Sequence, residues 1–296
     1  MYWALMFLLG TGVACRKSTS TEAGPEHGPF AGTLLYLYAN LQGTFDLYAL
    51  DPERDSLWAV VATVADEKYP LVVDSFLYFA ANDSGSFDIY RARLDGTGRV
   101  RLTRAPGDEV EPAVSPSGAY LAYASGGTGG YQIAVYDLVH DSLMRVLGNA
   151  SSYNVAPTFV GSDTLLMTLQ DFGGVYSQDG WMYWISRDTL WNVLATPSTQ
   201  ESQWRVWGSH VVFARKGLYG EDPHIVMADF PGFTQEVRLY SNAVTPPVRP
   251  IWDPTGRYVA VGHEGRCLIV AVDTRTLEVD TLLYRNSGTC YPYDWK

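Results

Sequence analysis

The sequence predicts an all-β fold made of one four-stranded unit repeated six times, and three observations predict it. Aromatic residues are abundant, with 20 Tyr and 9 Trp among 296 residues, and such side chains pack well on a pleated, half-buried surface. After the N-terminus, apolar residues come in short runs that alternate with polar ones, the period of a strand with one buried face. A proline-led segment recurs every 42 to 47 residues or so, the length of a four-stranded sheet unit.

The clearest unit runs from Phe87 to Ser125. Phe87-Asp88-Ile89-Tyr90-Arg91-Ala92-Arg93-Leu94 alternates as a strand, and Asp95-Gly96 makes a tight turn. Arg99 to Thr103 is a second strand. The acidic loop Pro106-Gly107-Asp108-Glu109 leads into a third, Glu111-Pro112-Ala113-Val114. This ends in Ser115-Pro116-Ser117-Gly118, where proline presets one φ and glycine accepts a positive one. Ala119 to Ala124 is the fourth strand.

These residues resemble the WD40-like repeat of the TolB-type β-propeller family. Asp88-Ile89-Tyr90, Asp95-Gly96, Leu102-Thr103, Pro112 and Ser115-Pro116-Ser117-Gly118 fill the places of that repeat in order, with Ser117 where aspartate is usual. The resemblance implies a propeller that works as a binding module for an envelope protein or peptide.

The remaining units follow the same plan. Strands of the Phe87 type recur at Phe45, Tyr131, Trp181, His224 and Cys267, which makes six in all. Proline-led strands recur at Pro70, Pro157, Pro250 and Pro292, with Gln203-Trp204 in the remaining place. The chain begins its repeats with Leu34 to Tyr38, which lacks a proline-led partner, and ends with Tyr291 to Trp295, which lacks a successor. The expected fold is thus a six-bladed β-propeller over residues 32–296, closed by the C-terminal strand joining the first blade, which hides sheet edges at the junction.

The opening run from Met1 to Ala14 has the length of the apolar region of an export signal. Gly12-Val13-Ala14-Cys15 resembles a bacterial lipoprotein cleavage box, with Gly12 where leucine is usual, and the resemblance implies lipidation of Cys15. The expected organisation is a signal peptide over 1–14, a flexible lipid-anchored tether over 15–31 and then the propeller. An uncleaved anchor is the alternative. The implied location is the bacterial cell envelope, periplasmic or anchored to the outer membrane.

Net charge is −11, which argues against nucleic acid, since phosphate-backbone binding needs a basic surface. Cys267 and Cys290 are expected to pack as separate small thiols, with a disulfide between them the alternative in an exported chain. No serine stands between glycines two residues away on each side, so a nucleophile elbow is absent, and the histidines have no metal-binding spacing. No cofactor and no metal site is expected.

The candidate binding residues come from propeller geometry. The residue before each unit's proline, or before Trp204, is expected at the mouth of the central channel: Tyr69, Glu111, Ala156, Gln203, Arg249 and Tyr291. Tyr69, Glu111, Gln203, Arg249 and Tyr291 carry the chemistry, with Glu111 opposite Arg249 and tyrosines offering flat amphipathic surfaces. The bland reading is that these side chains only brace one another. Alanine at Glu111 or Arg249 is expected to weaken partner capture without lowering the melting temperature. Three glycine-rich loops, at 125–130, 170–180 and 215–222, are expected on the same face.

Two rivals stand beside the protein-binding module. One is a carbohydrate-binding or polysaccharide-lyase-type propeller, in which Tyr69, Tyr176, Tyr219 and Tyr291 stack on sugar rings and Glu111, Asp171 or Asp179 supply acid–base groups. The other is a structural subunit held in a larger envelope complex through its outer strands.

Overall fold

The computed structural model describes residues 29–170, 178–196, 199–217 and 221–296. Residues 1–28, with Cys15 and most of the tether, lie outside the described residues, as do Asp171, Tyr176 and Tyr219. The described residues form 24 strands and no helix.

The strands group in fours, each group an antiparallel meander. The first comprises β1 (Leu35–Asn40), β2 (Phe45–Asp51) and β3 (Ser56–Val61), and the second β4 (Glu67–Val73), β5 (Phe76–Ala81), β6 (Asp88–Arg93) and the two-residue β7 (Val100–Arg101). The third is β8 (Asp108–Val114), β9 (Tyr120–Gly127), β10 (Gly130–Asp137) and β11 (Ser142–Leu147). β12 (Val155–Phe159), β13 (Thr164–Gln170), β14 (Gln178–Trp184) and β15 (Thr189–Leu194) follow. Then come β16 (Thr199–Trp207), β17 (His210–Gly217), β18 (His224–Asp229) and β19 (Val237–Ser241). A single parallel pair, Gln178 beside Gln200, joins these last two groups into one sheet. β20 (Pro247–Trp252), β21 (Tyr258–His263), β22 (Leu268–Asp273) and β23 (Val279–Tyr284) complete the series.

The last strand, β24 (Thr289–Trp295), pairs antiparallel with β1 and so puts the C-terminal residues in the same sheet as the first ones. β4, β8, β12, β16, β20 and β24 touch one another in succession, and β24 also touches β4. The core is a series of apolar layers between neighbouring sheets. Leu35 and Leu37 of β1 pack with Ile251, Ala260 and Ile269, while Tyr36 and Leu47 pack with Leu77 and Phe79. Leu77 and Phe79 are fully buried, each such side chain contributing about 1.5–3 kcal/mol.

A buried glutamate stands three residues before the proline position in three inner strands; Glu67 and Glu109 tie theirs to the end of the preceding sheet, while Glu201 is held within its own sheet. Glu67 accepts from Thr63, Glu109 from the Ala105 N–H at 3.1 Å, and Glu201 from Thr199 at 2.6 Å and Arg215 at 3.0 Å. Burial raises the pKa of all three.

Cys267 and Cys290 are joined by a disulfide, where separate thiols were expected. Both are buried, and the bond ties the residue before β22 to the strand that pairs with β1. The pairing depends on two sheets meeting, which cysteine spacing does not encode. Residues 125–130, expected as a glycine-rich loop, instead continue the hairpin of β9 and β10, with Gly127 opposite Gly130. Gly126 fits there because a Cβ would lie 2.1 Å from the Gly130 carbonyl oxygen.

Candidate channel site

The inner strand of each repeat carries a bulge where the sequence places its proline. In β4 the register slips between Lys68 and Leu71, in β8 between Val110 and Ala113, and the same shift recurs in β12, β16 and β20. The residue before the proline position takes up the extra length in a left-handed conformation: Tyr69 (φ 61°), Glu111 (55°), Ala156 (57°), Gln203 (62°) and Arg249 (53°). For non-glycine residues this costs about 1–3 kcal/mol each, and such residues cluster where structure is tied to function. β24 differs, since its register shift lies opposite Tyr36 and Leu37 and Tyr291 is not left-handed.

The bulged residues meet one another. Glu111 accepts the Ala156 N–H at 2.8 Å through one oxygen and the Arg249 guanidinium at 3.2 Å through the other. Gln203 accepts the Arg249 N–H at 2.7 Å. Thus Glu111 and Gln203 each bind the backbone of the corresponding position one repeat later, and Arg249 crosses to Glu111. The Arg249 guanidinium also lies 4.8 Å from the ring centre of Tyr69, 5.4 Å from Tyr38 and 5.8 Å from Tyr293. Its charge is held by cation–π attraction on several sides and by a carboxylate.

Glu111 is 8% exposed, and the Arg249 side chain 15%. Burial works against the Arg249 charge, and Tyr38, Glu111, Tyr69 and Tyr293 more than offset it, so its pKa is raised. Burial pushes Tyr69 up to about 12, with the Arg249 charge pulling the other way. Tyr38 and Tyr293 are also raised, chiefly by burial. All three phenols are neutral near pH 7.

Tyr291 extends this cluster outward. Its ring stacks on Phe45 with centroids 6.4 Å apart and tilts against Tyr38 at 5.2 Å, while its hydroxyl accepts the Gly265 N–H at 3.3 Å. Lys68 lies over Phe45 at 4.4 Å and over Phe87 at 4.8 Å. Gln203 lines a recess of about 140 Å³ of mixed character, with Arg215, Lys216 and Glu264 beside Pro246, Pro247 and Val248. The structure therefore brings Tyr69, Glu111 and Arg249 into one cluster, attaches Tyr291 to it through Tyr38, and attaches Gln203 through the Arg249 backbone. Tyr38, on a second strand, and Tyr293, just after the proline position, belong to the cluster but were not singled out from the sequence. Only their place beside recurring inner-strand residues marks them.

Trp204 replaces proline in the fifth repeat and is fully buried. Its indole N–H donates to Thr168 at 2.8 Å and its ring lies 4.7 Å from Phe213, so it fills the layer between two sheets. Among the described residues no group of three or more His, Cys, Asp or Glu side chains is arranged to hold a metal ion.

No protein-family model matches the chain, and no curated protein matches it. Solved structures do. TolB from Acinetobacter baumannii superposes with a TM-score of 0.73 at 17% identity over 89% of this chain, which spans 66% of that one. Putative TolB from Agrobacterium tumefaciens gives 0.59 at 15% identity over 70% of this chain and 76% of the other. Oligogalacturonate lyase from Vibrio parahaemolyticus gives 0.57 at 10% identity over 85% of this chain and 75% of the other. The fold is that of a TolB-like β-propeller.

Proposed function

We propose that the chain is a protein-binding module of the bacterial cell envelope, built as a six-bladed propeller in which β24 closes the first blade. An envelope protein or peptide docks at the channel mouth, with Tyr291, Phe45 and Lys68 as its contact rim and Glu111, Arg249, Tyr69 and Gln203 as the floor that fixes them. The observation that carries this reading is the Arg249 cluster. Arg249 lies against Tyr38 and Tyr69, and Tyr38 in turn packs on Phe45 and Tyr291, at the expense of five strained bulge residues. Rigid aromatic anchors lose little entropy on binding and dominate interface energies.

Residues 1–14 are proposed as a signal peptide and 15–31 as the tether, with Cys15 the lipidated residue. Full acylation at about 0.8 kcal/mol per buried methylene would then hold the module on a membrane. A carbohydrate-binding role is the second reading, favoured by the fold likeness to oligogalacturonate lyase and by the ring faces of Tyr291 and Phe45. Glu111 suits it poorly as an acid–base group, because both of its oxygens are already engaged.

The test is capture from detergent-solubilised envelopes by the intact chain and by Tyr291→Ala. A protein retained by the first and lost by the second supports the reading. A protein held equally by both moves the site to the outer strands, and retention only of glycans favours the second reading.

A further inference from the structure

The other end of the channel has a different character. A cavity of about 580 Å³ opens where the inner strands run out into their turns, past the bulges. One wall is apolar, formed by Leu71, Val114 and Phe159 with Pro112, Pro116 and Pro157. The other carries Arg205, Asp294 and Lys296. A second cavity, of about 320 Å³, shares these same three charged residues and continues to Trp207, Ile251, Trp252 and Pro254. The two cavities thus form one groove, apolar at both ends and charged in the middle. Both fall in the size range of ligand sites.

The charges in the middle are not balanced. Asp294 already accepts the Val72 N–H at 2.8 Å, the Trp295 N–H at 3.0 Å and the Lys296 ammonium at 3.4 Å. Asp253, in the second cavity, is spent on the turn that follows β20, accepting the N–H groups of Thr255, Arg257 and Tyr258. Asp74 lies exposed in the turn after β4. Arg205 donates one N–H to the Trp204 carbonyl at 2.8 Å and lies 4.9 Å over the Tyr293 ring, and among the described residues no carboxylate pairs with it. A half-buried guanidinium with unused donors, facing a cavity, is a site for a carboxylate. The aromatic end is also built: Gly256 lets the Trp207 ring lie where any Cβ would collide at 2.2 Å, and Trp207 remains 41% exposed.

We propose that this groove binds an extended peptide segment of a partner protein, with an acidic side chain on Arg205 and an apolar residue on either side of it. The order of subsites sets the order of residues, apolar–acidic–apolar, and the site is separate from the channel mouth. The Arg249–Glu111 pair and the Tyr293 ring lie between the two sites.

The experiment uses the propeller with its C-terminal strand intact and a fluorescein-labelled peptide, acetyl-Gly-Leu-Phe-Glu-Leu-Trp-Gly-amide, followed by anisotropy at low ionic strength. Its Glu→Gln form is the comparison. Saturable binding of the acidic peptide is expected, weakened about tenfold or more in the glutamine form. Arg205→Gln should weaken the acidic peptide by a similar factor and erase the difference between the two. Trp207→Ser, at an exposed position, should weaken both alike, while Tyr291→Ala should leave both unchanged. Absence of saturable binding, equal binding of the two peptides to the wild type, or loss of binding in Tyr291→Ala with none in Arg205→Gln overturns the proposal. Because Tyr291→Ala is the variant on which the channel-mouth reading depends, failure of that reading and failure of this one give different patterns.

Discussion

Two arginines lie over the ring of Tyr293, Arg205 at 4.9 Å and Arg249 at 5.8 Å, and the channel treats them in opposite ways. Arg249 is enclosed by Tyr38, Tyr69 and the Glu111 carboxylate, so its charge is spent within the fold. Arg205 keeps only a backbone carbonyl and that one ring, and the rest of it faces a cavity. The same side chain is a structural bolt at one end and a free recognition group at the other. Burial and partner count, rather than residue type, decide which.

The largest expected effect comes from removing what both arginines share. A chain ending before Gly288 loses β24, Tyr293 and the partner of Cys267 together. We expect it to lack a cooperative melting transition, and a melting temperature equal to that of the full chain would sink the ring closure.

Next in size is Glu111→Ala, which leaves Arg249 buried without its carboxylate and should cost about 3–5 kcal/mol in denaturant titrations. Arg205→Gln, beside a cavity, should cost no more than about 1 kcal/mol. This departs from the sequence-based expectation that Glu111→Ala spares the melting temperature. A channel mouth looks solvated in a linear repeat count, yet the side chains close on one another in three dimensions. Comparable losses for the two variants would erase the contrast between the arginines.

Replacing Cys267 and Cys290 by serine opens a loop spanning 23 residues. The expected loss is about 3 kcal/mol, read as a shift in denaturation midpoint against the wild type kept oxidised. No shift would mean that strand pairing between β24 and β1 suffices to hold β24 in place.

The smallest effect is in pH. Glu67, Glu109 and Glu201 have raised pKa values in the folded state because burial disfavours their charge. Between the ordinary glutamate value and the raised one, the folded state binds more protons than the unfolded state, so stability falls as pH rises through that window. The melting temperature should therefore climb as pH falls through that window, and climb less in Glu109→Gln. Below the ordinary carboxylate range the trend reverses, as Asp51, Asp273 and Glu236, whose values are lowered, take up protons. A steady fall from neutrality downward would show that the buried glutamates do not govern this range.

Much of the architecture was legible because its signals are local. Alternation in Phe87 to Leu94 and the turn at Ser115-Pro116-Ser117-Gly118 depend on neighbours in sequence, and β6 and β9 stand where they place them. β8 instead begins three residues early and takes in Asp108 and Glu109, expected in a loop, because Glu109 is buried and bonded to the preceding sheet. The bulge residues were legible as a set because proline follows each of Tyr69, Glu111, Ala156 and Arg249. The pairing of β24 with β1 follows from incomplete repeats at both ends. What was not legible depends on distant packing. Glu111 and Arg249 are 138 residues apart, and their opposition was countable, but the enclosure by Tyr38 and Tyr293 was not. The Cys267–Cys290 bond and the groove at Arg205 likewise arise where separate sheets meet.

The most direct measurement places a photo-crosslinking residue at Tyr291, in the proposed contact rim, and in a second variant at Leu143, exposed on the outer strand β11. Irradiation in solubilised envelopes should join a partner protein through position 291 and not through 143. Crosslinking through 143 alone would contradict the account and identify a subunit held by its outer strands.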